Sequence, residues 1–351
     1  MPLTIGDIAK LAGVSRATVS GVLNNSPTVS KKTYERVMAI IQENNYRPNA
    51  VARALALNKT GILGLVVKDI SNPLYSQIAL GVEEICDENE YHLMISNTHQ
   101  DWARQVNNIN TLKRRRVDGL IIFPLQKGHD LEHIHNLEKE KFPYVLLAEL
   151  PGVESDLVRA DDEHGTQLAV DHLYKLGRRR VVHVTGPEVA MATERRLHAF
   201  RQAVESLGHK FDNSMIIPGG WRYKDGYKAG YQISQCLREC PDGIFCYNDS
   251  VAVGLIRAMT EQGKNIPQDI SIMGFDDSGI ASYLETSLTT VAQPAREIGR
   301  KAAELILEQI KSRKKAKPRT ILLPTRLIVR ETCGANAKGS VPAIKDSGFT
   351  D

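Results

Sequence analysis

Apolar residues recur at helical spacing in the first forty-six positions of the chain. Three segments follow one another, and each places its apolar side chains three or four positions apart, so that one face of each helix can be buried. The positions expected to share this core are Ile5, Ile8, Ala9 and Ala12, then Val14, Val19, Val22 and Leu23, and then Tyr34, Val37, Met38 and Ile41. The pattern predicts three short helices around a small core.

The residues at the ends of these segments have the properties of helix caps. Thr4 is followed three positions later by Asp7, as in a capping box, and Gly13 suits a left-handed helix stop. Ser15 and Ser30 are candidate N-caps of the next two helices. Two short helices joined by a tight turn predict a helix-turn-helix, which places its second helix in the major groove of DNA. The expected solvent-facing side of that helix carries Arg16, Ala17, Ser20, Gly21 and Asn24.

From residue 61 onwards, short apolar runs alternate with helical segments. Strands are expected at 62–67, 92–96, 120–123, 145–147, 181–185, 214–217, 244–246, 270–275, 288–291 and 321–323. Helices are expected at 76–87, 103–115, 131–139, 166–176, 195–207, 225–237, 251–262 and 294–310. Such alternation predicts parallel sheets covered by helices on both faces. Two successive series predict two similar α/β subdomains with a cleft between them.

The net positive charge of the chain comes from its N-terminal segment. Residues 1–60 carry eight Lys and Arg side chains against three acidic ones, whereas the whole chain of 351 residues has a net charge of +4. A basic excess is what the neutralisation of DNA phosphates requires. The alternative, a helical cap with a solvated basic face, agrees less well with the combination of caps, turn and charge.

Composition and motifs indicate a soluble protein and argue against membrane proteins, secreted proteins and enzymes. Hydrophobic residues make up 42% and charged residues 25%, as expected of a soluble globular protein of two or three domains. No apolar run has the length of a membrane helix, and the N-terminus does not have the pattern of a signal peptide. The five scattered cysteines are expected to be free thiols in a reducing cytoplasm. Phosphate-loop, nucleophile-elbow and metal-spacing motifs are missing, so neither an enzyme nor a metal or cofactor is expected.

The sequence TIGDIAKLAGVSRATVSGVLN at positions 4–24 resembles the DNA-binding head of the lactose-repressor/galactose-repressor (LacI/GalR) family of bacterial transcriptional regulators. The likeness continues along nearly the whole chain. It implies a helix-turn-helix domain at 1–47, a hinge helix at 48–59 and an effector-binding and dimerisation domain at 60–330. That domain is expected to have the periplasmic-binding-protein type I fold, with subdomain one at about 60–160 plus 291–320 and subdomain two at about 161–290 plus 321–330. The polar tail 331–351 has no leucine heptads, so we expect it to be disordered and the protein to be a homodimer.

The resemblance implies DNA contacts from the head and from the hinge. Residues 49–57 form an alanine-rich segment too short to be a stable helix alone, and in the family the hinge helix enters the minor groove. Leu55 would be the wedge that unstacks a central base step; a linker whose leucines pack on the next domain is the alternative. The expected DNA-binding residues are Thr4, Ile5, Ser15, Arg16, Ala17, Thr18, Ser20, Gly21, Asn24, Ser30, Thr33, Tyr46, Asn49, Ala52 and Leu55.

One position departs from the family pattern. Arg usually follows the T-V-S of the recognition helix, whereas here Ser20 is followed by Gly21. A bidentate contact from Arg to guanine is worth about 1–3 kcal/mol of discrimination, and Gly21 cannot make it. We therefore expect an altered operator half-site, or more reliance on Arg16, Asn24 and the hinge.

The loops after the predicted strands carry the candidate ligand-binding residues, because ligands of open parallel sheets lie beyond the carboxyl ends of the strands. The resemblance implies that Arg196 and Asp276 bind effector hydroxyls, Asn248 adds an amide and Trp221 stacks on the ligand. A surface ion pair, a helix cap and a core tryptophan are the alternatives for Arg196, Asp276 and Trp221. Leu74 and Tyr75 are expected at the entrance, and weaker candidates are Asp69, Phe123, His164 and Gln293.

These features together predict a cytoplasmic, nucleoid-associated regulator that binds operator DNA as a dimer and is switched by a small molecule. A sugar that releases a repressor from a carbohydrate-utilisation operon is the expected arrangement, as is common in the family. Ala190 and Ala192 argue against a purine-type pocket, because they offer no polar groups. The alternatives are a solute-binding protein of the same fold without a DNA role, and a regulator that answers to a purine-like or other non-sugar effector.

Overall fold

The computed structural model describes residues 3–23, 26–46, 59–125, 130–235, 240–312 and 317–335. The chain divides into two compact units, Met1–Gly61 and Ile62–Asp351. Within the described residues, no helix combines the length and the apolar composition needed to cross a bilayer.

Three helices lie in the described part of the first unit. They are α1 (Ile5–Ala12), α2 (Arg16–Leu23) and α3 (Lys31–Glu43). Their core contains the buried side chains of Ile8, Val19, Val22 and Val37, as the helical spacing predicts. The capping box of α1 is confirmed: Thr4 and Asp7 each accept a hydrogen bond from the other's backbone N–H. Gly13 ends α1 with a φ of 61° and Ser30 caps α3, both as expected.

The second unit contains two six-stranded sheets and eight described α-helices. The strands are β1 (Ile62–Val67), β2 (His92–Asn97), β3 (Gly119–Ile122), β4 (Tyr144–Leu146), β5 (Asp156–Ala160), β6 (Val181–Val184), β7 (Ile216–Ile217), β8 (Gly243–Cys246), β9 (Ser271–Asp276), β10 (Thr289–Ala292), β11 (Thr320–Leu323) and β12 (Arg326–Ile328). The helices are α4 (Pro73–Glu88), α5 (Trp102–Arg114), α6 (Glu132–Lys139), α7 (Asp162–Lys175), α8 (Met191–Ser206), α9 (Tyr223–Ser234), α10 (Asp249–Glu261) and α11 (Ala295–Lys311). Two short 3-10 helices lie at Asn213–Met215 and Gly279–Ser282.

The first sheet has the strand order β11-β5-β4-β3-β1-β2 and is parallel throughout. Helices cover both faces, which explains the continuous apolar character of β1 and β3. On β1, Leu63 and Leu65 point into the core that contains Ile78 of α4 and Ile306 of α11. Val66, the residue after Leu65, points into the opposite core, beside side chains of α5 and α6.

The second sheet has the order β12-β10-β9-β8-β6-β7. Its strand pairs are parallel except for β10 and β12, which are antiparallel. Phe200 of α8 and Phe245 of β8 pack in the core on the side of α7, and Leu255 of α10 and Ile272 of β9 pack in the core on the other side.

The chain crosses between the two subdomains three times, after β5, after β10 and after β11. The first and third crossings lie side by side. The backbone N–H of Asp161 donates to the carbonyl of Leu323 at 2.8 Å, and the hydroxyl of Thr325 donates to the carbonyl of Asp161 at 3.1 Å. A Cβ at Gly165 would lie 2.8 Å from the Thr325 hydroxyl, so the packing here requires glycine.

Two expected subdomain boundaries are wrong. Residues 321–323 were assigned to subdomain two, but Thr320–Leu323 pairs in parallel with β5 in the first sheet. Residues 291–292 were assigned to subdomain one, but they complete β10 and pair with β9 in the second sheet. Each boundary was placed before the end of a strand, and the chain crosses only after its ladder of hydrogen bonds is complete.

The start of the tail is also ordered, contrary to the expectation for 331–351. Thr332 and Cys333 are buried, and Thr332 donates its hydroxyl hydrogen to the carbonyl of Ile272 at 2.7 Å. The Ser271 hydroxyl donates to the carbonyl of Cys333 at 2.7 Å. Residues 331–335 therefore pack against β9, and residues 336–351 lie outside the described part of the chain.

Candidate functional site

A cavity of about 440 Å³ lies between the two subdomains, at the carboxyl ends of their parallel strands. Lys68 follows β1 and Phe123 follows β3 on one side, while Tyr247 follows β8 and Asp276 ends β9 on the other. This volume is within the usual range for small-molecule sites. The placement is the one expected for open parallel sheets.

Nine of the ten residues expected to bind an effector line this cavity. They are Leu74, Tyr75, Arg196, Trp221, Asn248, Asp276, Asp69, Phe123 and Gln293. The tenth, His164, is not among the residues that line it. Its backbone N–H donates to the side chain of Asp161, which caps α7, at 2.9 Å.

Arg196 is held rigidly at the bottom of the cavity. Its side chain is 4% exposed, and its Nε donates to Oδ1 of Asp162 at 2.9 Å. Its Nη1 donates to the carbonyl of Tyr247. The guanidinium carbon lies 3.6 Å from the centre of the Phe275 ring, a cation–π contact. The plane of the guanidinium is therefore fixed before any ligand arrives.

Asp276 is a buried carboxyl group on a strained backbone. Its φ of 121° lies in a region that side-chain-bearing residues rarely adopt, and Asp277 follows with a φ of 56°. The amide of Gln293 donates to its Oδ1 at 2.6 Å. Burial, together with the neighbouring carboxyl of Asp249, raises the pKa of Asp276 to about 8. Such strain and such a pKa are typical of functional positions.

Asn248 has a structural role as well as a place in the cavity wall. Its Oδ1 accepts a hydrogen bond from the backbone N–H of Val251 at 2.8 Å and so caps α10. Its Nδ2 donates to the carbonyl of Trp221 at 3.1 Å. The amide thereby connects the start of α10 to the segment that carries the candidate stacking residue.

The wall of subdomain one is aromatic. The rings of Tyr75 and Phe123 meet edge to face with their centres 5.0 Å apart. Burial raises the pKa of Tyr75 well above its ordinary value, with contributions from Tyr247 and Asp276 of the other subdomain. Groups on the opposite wall of the cavity, Tyr247 and Asp276, therefore contribute to the raised pKa of Tyr75.

The cleft also contains a network of charges that the sequence pattern does not predict. Asp162 is buried and accepts hydrogen bonds from both Arg195 and Arg196. Burial by itself would raise the pKa of Asp162, but the two guanidinium groups hold it below the ordinary value. Arg195 also pairs with Glu149, which in turn pairs with Arg159 at 2.7 Å.

The sequence gives only a weak signal for Asp162. Asp161 and Asp162 form an acidic pair directly after β5, but the apolar pattern does not predict that strand, and adjacent residues do not face each other on one element. They act separately: Asp161 caps α7, whereas Asp162 faces the two arginines. Among the described residues, no group of three His, Cys, Asp or Glu side chains is placed to hold a metal ion.

The helix-turn-helix exposes part of the surface expected to contact DNA. Ser15, Arg16 and Ala17 are exposed at the start of α2, and Val19 and Val22 are buried beneath it. The other expected DNA-binding residues that the structure describes, all at least partly exposed, are Thr4, Ile5, Thr18, Ser20, Gly21, Ser30, Thr33 and Tyr46. Asn24, Asn49, Ala52 and Leu55 lie outside the described residues.

Gly21 is partly buried against the turn that follows α2. A Cβ at this position would lie 3.0 Å from Cγ2 of Val29, closer than ordinary van der Waals contact. Any larger residue at position 21 therefore needs Val29 to move by a few tenths of an ångström.

Comparisons with known proteins cover both units. Residues 4–49 match the family model described as bacterial regulatory proteins, lacI family, and residues 170–333 match the periplasmic binding protein-like domain. The HTH-type transcriptional regulator DegA of Bacillus subtilis is 34% identical over 334 residues, which cover 95% of this chain and 98% of DegA.

Two solved structures are similar over most of the chain. The lac repressor dimer bound to operator and the anti-inducer ONPF has a TM-score of 0.82 and 28% identity, covering 95% of this chain and 99% of that one. A LacI family transcriptional regulator from Enterococcus faecium with bound ribose has a TM-score of 0.69 and 30% identity, covering 77% of this chain and 98% of that one.

Proposed function

The chain belongs to the LacI family of bacterial regulatory proteins and is a DNA-binding transcriptional regulator, and from this premise we propose that it represses a carbohydrate-utilisation operon under the control of a small sugar bound in the cleft. The matched relatives are transcriptional regulators and not enzymes. The proposal places the protein in the bacterial cytoplasm, at its operator.

The observation that carries the sugar proposal is the convergence of Arg196, Asn248 and Asp276 in one cavity with aromatic walls. Sugar hydroxyls both donate and accept hydrogen bonds, so a guanidinium, an amide and a carboxyl group match them. Trp221 and Tyr75 offer aromatic surface to the C–H face of a sugar ring. The related regulator from Enterococcus faecium has ribose bound, which supports the same ligand class.

A purine-like effector is the less favoured candidate. The segment before α8 lines the cavity with Val189, Ala190 and Ala192, none of which offers a side-chain hydrogen bond to a base edge. Planar heterocycles are bound specifically only when polar groups match their edges. Ribose or another polyol would instead use Arg196, Asn248 and Asp276, the polar side chains of the same subdomain.

The proposed switch couples closure of the cleft to operator affinity in a homodimer. Ion pairs that bridge the subdomains, such as Arg195 with Glu149, set the balance between open and closed forms. Since the lac repressor dimer is bound to its operator, we propose that this chain also binds a near-palindromic site as a dimer. The hinge segment with Leu55 as a minor-groove wedge is part of the same proposal.

The test is a DNA-binding titration of the full-length protein against an operator selected from random duplexes, with and without a panel of sugars. We expect one sugar to change operator affinity by at least about tenfold, a coupling of about 1.4 kcal/mol. Asp276→Asn should abolish the response while operator binding without sugar is unchanged. Asp277→Asn is the matched control, because Asp277 pairs with Arg330 at 2.7 Å and is not among the cavity-lining residues.

Two results would overturn the proposal in different ways. If the protein shows no salt-dependent binding to any duplex, it does not act on DNA, and the solute-binding alternative then holds. A protein that binds an operator but responds to purines and to no sugar has a different effector class.

A further inference from the structure

Lys68 places an ammonium group in the cleft without an acidic partner. It follows β1 directly, and its carbonyl is fixed by the backbone N–H of Gln100 at 3.0 Å. Its Nζ lies 5.0 Å from the centre of the Phe123 ring. Within the described part of the chain, its ammonium group makes no hydrogen bond and no ion pair. Burial lowers the pKa of Lys68 to about 8, and the charge of Arg195 adds to the effect.

The other cations of the inner cavity are already neutralised. Arg195 and Arg196 share Asp162, and Arg195 also binds Glu149. At the mouth, Arg222 pairs with Asp69 at 3.2 Å. Lys68 is thus a partly buried positive charge that no described residue pairs with, and burying an unpaired charge is costly.

We propose that the effector is an anionic sugar, whose carboxylate or phosphate group binds Lys68 while its hydroxyl groups bind the opposite wall. The inference rests on the proposed function, because it specifies the ligand of the same cleft. A ligand anion would supply the missing counter-ion and recover the desolvation cost of the ammonium group. It would lie beside Phe123 and Tyr75 on subdomain one, facing Arg196 and Asp276 on subdomain two.

The charge balance favours one negative charge over two. Among the described residues that line the inner cavity, Lys68 is a cation without an ion pair, and Lys224, the other lysine in that lining, is exposed. A phosphate dianion is usually held by several donors, often a guanidinium fork or a helix N-terminus. A sugar acid with a single carboxylate matches one ammonium group, and a sugar phosphate is the second source of the same chemistry.

The experiment measures binding of matched ligands to the full-length protein by calorimetry and by thermal shift. The ligands are neutral sugars, the corresponding uronic and aldonic acids, and the corresponding sugar phosphates. We expect an acidic member to bind at least about tenfold more tightly than its neutral parent. Lys68→Met, which retains the apolar stem over Phe123, should remove this preference, and Lys68→Arg should retain it. Lys224→Met is the matched control and should keep the preference within about twofold.

The outcomes separate this inference from the function on which it rests. A preference for sugar acids or for sugar phosphates supports the inference if Lys68→Met removes that preference. Comparison of the two groups of ligands then identifies the bound anion as a carboxylate or a phosphate. Neutral sugars that bind as tightly as the acids overturn the inference and leave the sugar effector intact. An anion preference that survives Lys68→Met also overturns it. Failure of every sugar to bind or to change operator affinity overturns both.

Discussion

Arg222 and Asp69 join the two subdomains across the mouth of the cleft, with Nη2 of the arginine 3.2 Å from Oδ2 of the carboxylate. Asp69 also accepts hydrogen bonds from the backbone and the hydroxyl of Ser71, so its carboxylate is oriented before the arginine reaches it. In the proposed switch the two subdomains move relative to one another, so the pair would stabilise the form in which the cleft is closed.

Removal of this pair should weaken effector binding by a small factor. Arg222 is about half exposed, and exposed ion pairs are worth about 0–1 kcal/mol, so Arg222→Gln should weaken the effector two- to fivefold. Calorimetric titration checks this, and the difference from the wild type should shrink at high salt. Arg257→Gln, which breaks an exposed pair with Glu261 within one helix, should leave effector affinity unchanged. An equal loss in both variants would remove the bridging role.

Asp162→Asn should be among the most destabilising single changes in the second unit. It leaves the buried Arg196 without its carboxylate and Arg195 with Glu149 alone, and loss of one partner of a buried pair costs about 3–5 kcal/mol. Denaturant unfolding monitored by circular dichroism measures the change. The neighbouring Asp161→Ala is the control, because loss of a helix cap costs about 1 kcal/mol. Similar losses for the two variants would contradict the account of the charge network.

The buried carboxyl of Asp276 should make stability depend on pH in a definite direction. Burial and Asp249 raise its pKa to about 8 in the folded state, whereas the ordinary value is 3.8. The folded protein therefore holds a proton that the unfolded chain has lost, and this contribution to stability disappears as pH rises from about 4 to 8. Asp276→Asn should remove that loss, so the stability of the variant relative to the wild type should rise across this range.

Glu331→Gln is the control with the opposite sign. The backbone and hydroxyl of Ser287 donate to Glu331 and hold its pKa below the ordinary value. Its contribution is present above the ordinary value of 4.5 and is lost as pH falls further, so the variant should differ from the wild type at neutral pH and converge with it in acid. Chemical unfolding at a series of pH values tests both variants. A flat difference for Asp276→Asn would mean that its carboxyl is ionised throughout.

Gly21→Arg should change the base preference of one position in each operator half-site. The new side chain can reach guanine, but its Cβ must displace Val29, which lies 3.0 Å from the position it would occupy. Selection of bound sequences from a random pool measures the preference, and Val29→Ala in the same chain should improve the stability of the variant. Gly21→Ala meets the same contact without reaching a base, so its selected sequences should match those of the wild type. An unchanged profile for Gly21→Arg would show that position 21 does not reach the groove.

Elements whose burial shows in their composition were predictable from the sequence. The first strand, Ile62–Val67, was placed with its observed limits because it is apolar throughout and buried on both faces. β5 was missed because Asp156 and Arg159 interrupt its apolar run. Those residues serve partners that are distant in sequence: Asp156 accepts a hydrogen bond from the backbone N–H of Arg319 at 2.7 Å. A local pattern carries no signal for such a partner.

The cavity-lining residues likewise include some that the sequence predicts and some that it does not. Residues that occupy family positions, such as Arg196 and Asp276, could be named from the sequence and do line the cleft. Lys68 and Asp162 could not, because their meaning depends on which charges lie opposite them. Asp162 is explained by two arginines more than thirty positions away. Lys68 is explained by its position over the Phe123 ring, where its ammonium group forms no ion pair with any described residue.

The neighbouring chain crossings at Asp161 and Thr325 restrict the movement between subdomains that a bound molecule can cause. Because these two crossings are hydrogen-bonded to each other, we expect the subdomains to rotate about the line that the crossings define and not to slide past one another. Effectors of different shape would then all change the same quantity, the angle between the subdomains. The residues that recognise the effector can then differ between related proteins while the motion that transmits binding stays the same.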